Sequence, residues 1–426
     1  MSLISLIDKP KSPGTLSGAR TGALQALAPG NGFTDDVGIM RITRGMGVEL
    51  ERLIEEEFPQ DPGLLYLNHA GVAPWPWRTV EAVRNFAAEN LHRGAKNYGT
   101  WVAHEAQLRE QLRQFINAAS ADEISLLKNT SEALSVVACG IGWQPGDNVV
   151  STDQEFPSNR IPWQAQRVHG VDFREVNISG PDDPEGALMA CCDERTRVLT
   201  VSSVQYGSGF RLNLERLGRF CRDNGILYCI DAIQSLGAHR FDVQANRADF
   251  IMADGHKWLL APEGLALFYC RDALRDRLQL HHYGWHMVED HQNYETRSWQ
   301  PAAQARRFEC GSPNMLGIHA LSASLSLLVE IGMETVERNV LNNTGYLIDI
   351  IKDNNRFSLL TPVPESRRAG IVTCKIRNRD PAYIHRKLLE NNVICANRCG
   401  AIRFSPHFYT PRSVIDKVFQ ILISVI

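Results

Sequence analysis

The chain has 426 residues, of which 44% are apolar and 22% charged, with a formal net charge of −3. That length is too great for one small core, and the composition excludes general disorder. The near-neutral charge leaves no electrostatic footprint for nucleic acid or anionic membrane, and no run reaches the roughly 18 apolar residues a spanning helix needs.

Residues 1–45 are rich in Gly, Pro, Ser and Thr and lack a continuous apolar run. They read as a flexible N-terminal extension without a signal peptide, and Met46, where the helical pattern GVELERLIEEEF begins, is a possible true start. From residue 64 short apolar runs alternate with longer amphipathic ones. The candidate strands are LLYL (64–67), ISLL (124–127), NVVS (148–151), RVLTVSS (197–203), ILYCI (226–230), DFIMA (249–253) and GLALFY (264–269). Helical patterns fill the gaps, among them SEALSVVACGI and LNLERLGRFCRDNG. Repeated β-then-α runs whose strands lack alternation predict an α/β fold: a mostly parallel sheet covered by helices on both faces. After FECGSPN (308–314) the texture changes to a long helical pattern, short strands around GIVTCKI and GAIRFSP, and a terminal helix. This predicts a large domain over 46–315, with an N-terminal segment lent to a smaller α+β domain over 316–426. The ten cysteines are scattered with no CxxC pair, which reads as reduced, mostly buried thiols in a cytoplasmic protein, with neither a disulfide framework nor a metal site.

In open α/β sheets ligands collect beyond the carboxyl ends of the strands. The residues following the apolar runs are Asn129-Thr130-Ser131-Glu132, Thr152 to Phe156, Val204-Gln205-Tyr206, Asp231-Ala-Ile-Gln234 and Asp254-Gly-His256-Lys257. Lys257 and Asp231 form the informative pair. An amine at a strand end can condense with an aldehyde, and a neighbouring carboxylate can hold a pyridinium nitrogen protonated, the combination that pyridoxal 5′-phosphate (PLP) chemistry requires. Taken singly, each is as readily a helix cap or a solvated lysine. Thr130 and Ser131 open a helix whose free N–H groups favour a phosphate, although Asn129 with Glu132 also fits plain capping. Phe156 fits a ring-stacking role or a core one. Gln205 and Gln234 fit donors to a ring hydroxyl or turn contacts, and His256 a phosphate contact, a proton carrier or a structural histidine.

From about 64 to 420 the sequence resembles the class V aminotransferases of PLP fold type I, the group of cysteine desulfurases, selenocysteine lyase, kynureninase and isopenicillin N epimerase. The motifs that carry the likeness are NTSEAL (129–134), EFPSNRIPW (155–163), IDAIQSLG (230–237), GHKWLLAPEGLALF (255–268), FECGSPN (308–314) and GAIRFSPHFYT (400–410). The resemblance implies a seven-stranded, mostly parallel sheet with a smaller C-terminal domain and PLP as cofactor. It places Lys257 as the Schiff-base lysine and proton carrier, Asp231 at the ring nitrogen, and Thr130, Ser131 and His256 at the phosphate. Phe156 falls on the stacking position, Gln234 and Gln205 near the ring hydroxyl, and Arg403 at the carboxylate of an amino-acid substrate. It further implies a homodimer, with residues 311–314 and the HYGW segment (282–285) near the neighbour's site.

The sequence departs from the desulfurase branch at four places, one of them Gln205, which stands where an asparagine is expected near the ring hydroxyl. That branch carries a histidine where Phe156 stands and a cysteine on a mobile loop upstream of the arginine. Here the segment NVICANRCGAIRF is short, with Cys395 and Cys399 reading as strand-end thiols. Asp254 would be awkward beside a phosphate unless it turns away or orients His256. Transamination or C–S lysis is therefore expected ahead of desulfuration by a cysteine desulfurase or selenocysteine lyase route. A non-catalytic scaffold has no physical need for a lysine at a buried edge, and a nicotinamide enzyme would need a GxGxxG after its first strand.

Overall fold

The computed structural model describes residues 49–180 and 182–426. The expected extension over 1–45 and the alternative start at Met46 lie outside them. The strands are β1 (Leu65–Tyr66), β2 (Ile124–Leu127), β3 (Asn148–Thr152), β4 (Asp172–Val176), β5 (Thr196–Ser202), β6 (Leu227–Asp231), β7 (Phe250–Asp254), β8 (Ala266–Cys270), β9 (Phe357–Leu359), β10 (Val372–Ile376), β11 (Val393–Ile394), β12 (Ala396–Arg398) and β13 (Ala401–Phe404).

A seven-stranded sheet runs in the order β2-β8-β7-β6-β5-β3-β4. Its pairs from β7 to β4 are parallel, while β8 lies antiparallel between β2 and β7. Because β8 reverses direction twice over, β2 runs the same way as β7, and the carboxyl ends of β2, β3, β5, β6 and β7 share one edge. Both faces of the sheet are covered, which is why its strands read as unbroken apolar runs. Alternate residues feed two cores: Tyr228, Ile230, Ile251 and Ala253 enter one, and Cys229, Phe250, Met252 and Phe268 the other.

Two strands differ from expectation. The seventh member of the large sheet is β4, DFREV, whose residues are exposed or only partly buried. An edge strand wet on one side carries charge and leaves no apolar run to read. The run LLYL, in contrast, lies outside this sheet. Its β1 pairs in parallel with β11, and Leu65 and Leu67 enter a third core with β10, β13 and the helix Arg412–Val425. The short C-terminal strands form an antiparallel sheet in the order β12-β13-β10-β9. The long helix Met333–Lys352 runs from one core to the next: Val336 and Val340 pack in the large lobe, Leu347 and Ile351 in the small one. Among the described residues no single helix is long and apolar enough to cross a membrane. Cys221, Cys229, Cys270, Cys374 and Cys395 are buried, whereas Cys139 and Cys399 are exposed.

The loop after β7 is built as a rigid shelf. Trp258, Leu259, Leu260 and Ala261 are buried, and Leu260 takes the left-handed conformation (φ 61°) that a leucine adopts only under strong packing. Gly237 (φ 93°) lies so close that a Cβ there would sit 2.1 Å from the Trp258 carbonyl oxygen. Gly237→Ala is therefore expected to cost about 3 kcal/mol, from overpacking and an unfavourable φ together. Urea denaturation of the variant checks this, and an unchanged midpoint would contradict the packing described.

Candidate active site

The shared sheet edge brings the polar strand ends together. Asp231 closes β6, and Lys257 follows the neighbouring β7. Asp231 is buried; one carboxylate oxygen accepts the Ile233 backbone N–H at 3.0 Å, and no cation pairs with it among the described residues. Burial holds its carboxyl above the ordinary carboxylate range; the Ile233 hydrogen bond lowers it, the charge of Glu155 raises it and that of Lys257 lowers it. Burial likewise lowers the proton affinity of the Lys257 amine, with Asp231 opposing and Arg403 reinforcing the effect. An amine that gives up its proton more readily than an ordinary lysine and a carboxyl that holds one more readily, one strand apart, suit carbonyl condensation. Phe156 places its ring 5.6 Å from the Lys257 amine and packs edge-on against Tyr206.

The helix Thr130–Gly140 opens at the same edge, with the Asn129 side chain accepting the Glu132 N–H as its cap. Thr130 is buried and its hydroxyl accepts the Asp254 N–H at 3.1 Å, which leaves the hydroxyl hydrogen to donate elsewhere. Ser131 is exposed and donates to Ser158. Asp254 does turn to His256: its Oδ1 lies 3.0 Å from Nδ1, off the line of a good hydrogen bond, and neither atom has another partner. The carboxylate thus faces the imidazole and leaves Nε2 as the ring's outward nitrogen.

The two glutamines behave differently from one another. Gln234 is pinned, its Oε1 accepting from the Trp258 indole at 2.9 Å and its Nε2 donating to the Ala70 carbonyl, with one amide hydrogen to spare. Gln205, expected as a donor, gives its Nε2 to Glu155 at 3.0 Å, and its buried Oε1 is left with no partner. The sequence reading gave Glu155 no role, since nothing local in TDQEF marks a carboxylate that folds back onto its own sheet.

Arg403 lies on β13 of the small sheet, 2% exposed, and still has no carboxylate partner among the described residues. Nη1 donates to the Tyr206 carbonyl at 2.8 Å, Nη2 reaches Asn68 Oδ1 only at 3.5 Å, and Nε has no acceptor. Burial and the nearby Arg398 draw its proton affinity down to about 10. Beside it, Cys399 and Gly400 form a two-residue turn between β12 and β13, both at positive φ (53° and 66°). A Cβ on Gly207 would lie 2.4 Å from the Cys399 sulfur, so this thiol packs against the segment that receives Arg403. Cys395 instead faces the small core with Cys374, and burial pushes its thiol up to about 12.

The family model described as "Aminotransferase class-V" matches residues 65–415. The chain belongs to the class V aminotransferases. This class V aminotransferase is 32% identical over 383 residues to a probable cysteine desulfurase of Methanothermobacter thermautotrophicus, covering 84% of this chain and 94% of the relative. It is 28% identical over 362 residues to a cysteine desulfurase of Escherichia coli, with 82% and 85% covered. Among solved structures, the apo cysteine desulfurase of Thermococcus onnurineus NA1 superposes with a TM-score of 0.77 at 22% identity, over 87% of this chain and 97% of that one. The cystine C–S lyase C-DES in complex with cysteine persulfide does so with a TM-score of 0.80 at 21% identity, over 86% and 99%. These likenesses establish PLP fold type I, and the family's cofactor is PLP. The residues fit that group: the Asp231 carboxylate with no cation partner among the described residues, the Thr130 hydroxyl, the outward Nε2 of His256 and the amine of Lys257 are groups a pyridine aldehyde phosphate would satisfy.

Proposed function

We propose that this class V aminotransferase cleaves the C–S bond of a cysteine-like α-amino acid by β-elimination, with Lys257 as the covalent anchor for PLP and the proton carrier. The carrying observation is Arg403, a buried guanidinium without a carboxylate partner among the described residues, close enough to the Lys257 amine to help lower its proton affinity. An α-carboxylate supplies the missing counter-ion in bidentate form and so turns the α-carbon towards Lys257. PLP, when bound, supplies the electron sink; the chain supplies the base, the acid at the ring nitrogen and the exclusion of water. Thr130, Ser131 and His256 hold the phosphate, Phe156 covers one ring face, and Gln234 donates its remaining hydrogen at the ring hydroxyl. The sulfur-bearing substrate is supported by relatives named as cysteine desulfurases.

Phe156 offers no proton to a leaving group, and Cys399 sits on a two-residue turn, which supports direct release of sulfide. One observation favours a second reading: Cys399 is an exposed thiol beside Arg403's own segment, where it could accept sulfur. L-Cysteine without added reductant separates the two. Elimination yields pyruvate, ammonia and sulfide in equal amounts, unaffected by Cys399→Ser. Desulfuration yields alanine and no pyruvate or ammonia, and alanine formation is lost in Cys399→Ser. Keto acid without sulfide would point to transamination and overturn both.

We further propose a cytoplasmic homodimer in which a second copy covers the exposed aromatic residues Tyr283, Trp285, Tyr294 and Trp299. Light scattering should give twice the chain mass, and Trp299→Glu should lower it.

A further inference from the structure

Glu155 is a buried carboxylate with an unusually complete set of donors. Its Oε1 accepts from the Ser202 backbone N–H at 2.8 Å, Gln205 Nε2 at 3.0 Å and the Thr152 hydroxyl at 3.1 Å. Its Oε2 accepts from the Ser202 hydroxyl at 2.5 Å and Asn159 Nδ2 at 2.9 Å. All these partners are neutral donors. A carboxylate accepts all five at once, whereas a carboxylic acid would need the Ser202 or Thr152 hydroxyl to turn round and accept. Five neutral donors thus converge on the two oxygens, with no arginine or lysine among these partners.

Its location gives the charge a direction. Ser202, which binds both oxygens, pairs across the sheet with Asp231 in the parallel register of β5 and β6. Two carboxyl groups thus share one buried sheet edge. The charged groups acting on Asp231 are Glu155 and Lys257; those acting on Lys257 are Asp231, Asp254, Arg403 and Arg398. Glu155 also decides how Gln205 stands. Turning that amide over would set its carbonyl against the carboxylate, so Oε1 is kept as the free end.

Resting on the function proposed above, we propose that Glu155 is a positioning residue: a buried carboxylate, one strand from Asp231, that fixes the Gln205 amide and favours the protonated Asp231–pyridine pair without touching the cofactor. Its effect is to keep the ring protonated, and the ring is an effective electron sink only in that form.

The test is a spectrophotometric pH titration of the PLP-loaded protein, with PLP affinity measured alongside. Glu155→Gln keeps the shape and loses the charge. Removing an anion disfavours the more protonated form, so the midpoint of the visible band is expected to move down by about one pH unit, a tenfold change in proton affinity. Thr152→Val removes one hydrogen bond but no charge, and should leave the midpoint in place while lowering the melting temperature. The double exchange Glu155→Gln with Gln205→Glu moves the charge one contact along, preserves the hydrogen bond and should bring the midpoint back to the wild-type value or above. It also serves as the decisive variant should Glu155→Gln fail to fold. An unshifted Glu155→Gln, an equal shift in Thr152→Val, or a double variant left below wild type would each overturn the inference. A wild-type chain that binds no PLP would overturn the proposed function, and this inference with it.

Discussion

Lys257→Ala is expected to leave a folded protein that is colourless with PLP and at least about 10³-fold less active. The loss has two sources: no covalent bond to the aldehyde can form at this position, and no amine remains to take the α-proton. Borohydride treatment of the PLP-loaded wild type should fix the cofactor's mass on the peptide carrying Lys257, and the variant should retain none there. Cofactor mass on another lysine, or activity within tenfold of wild type, would remove Lys257 from its role. The pH dependence has a definite sign. Only the uncharged amine attacks a carbonyl, and burial lowers its proton affinity, so the rate of PLP uptake should rise with pH and level off below the ordinary lysine value of 10.5. Asp231 opposes that lowering, so Asp231→Asn should bring the midpoint down further. Arg403 reinforces it, so Arg403→Met should move the midpoint up.

Arg403→Met has the second largest effect, and its signature is a divergence between activity and stability. Losing a bidentate charge-assisted contact to the substrate carboxylate should lower kcat/KM about 100-fold or more, with much of it in KM. Arg403→Lys should not rescue, since a point charge on a flexible stem does not reproduce the planar fork. The melting temperature of the cofactor-free protein, however, should not fall. An unpaired buried guanidinium is a cost to the fold, and a methionine of similar length fills the space without it. A structural arginine would behave oppositely, losing stability with little change in KM.

The part of this site legible in the sequence is the part written in strand ends. Asp231, Gln205, Thr130 and Lys257 each follow an apolar run, and runs buried on both faces mark their own termini. What escaped the reading is spatial. The charged edge strand β4 has no apolar signature, and LLYL has one but spends it on the small core. Gln205 fits a ring-hydroxyl donor or a turn contact by sequence, because its partner, Glu155, reaches it only through the fold. That Arg403 has no acid beside it among the described residues, and that Cys399 is exposed on the turn while Cys395 faces a core, depend on how β12 and β13 pair.

The closeness of Trp258 to Gly370 makes the lysine's shelf a shared wall. A Cβ at Gly370 would lie 2.2 Å from the indole, so the residue leading into β10 of the small lobe is pressed flat against the neighbour of Lys257. Trp258 has no such plate until the chain beyond residue 370 is in place. A fragment carrying every strand of the large sheet but ending before Gly370 would expose that indole and release the loop. The shelf that carries Lys257 is thus completed late in synthesis, by chain that lies more than a hundred residues downstream of the lysine itself.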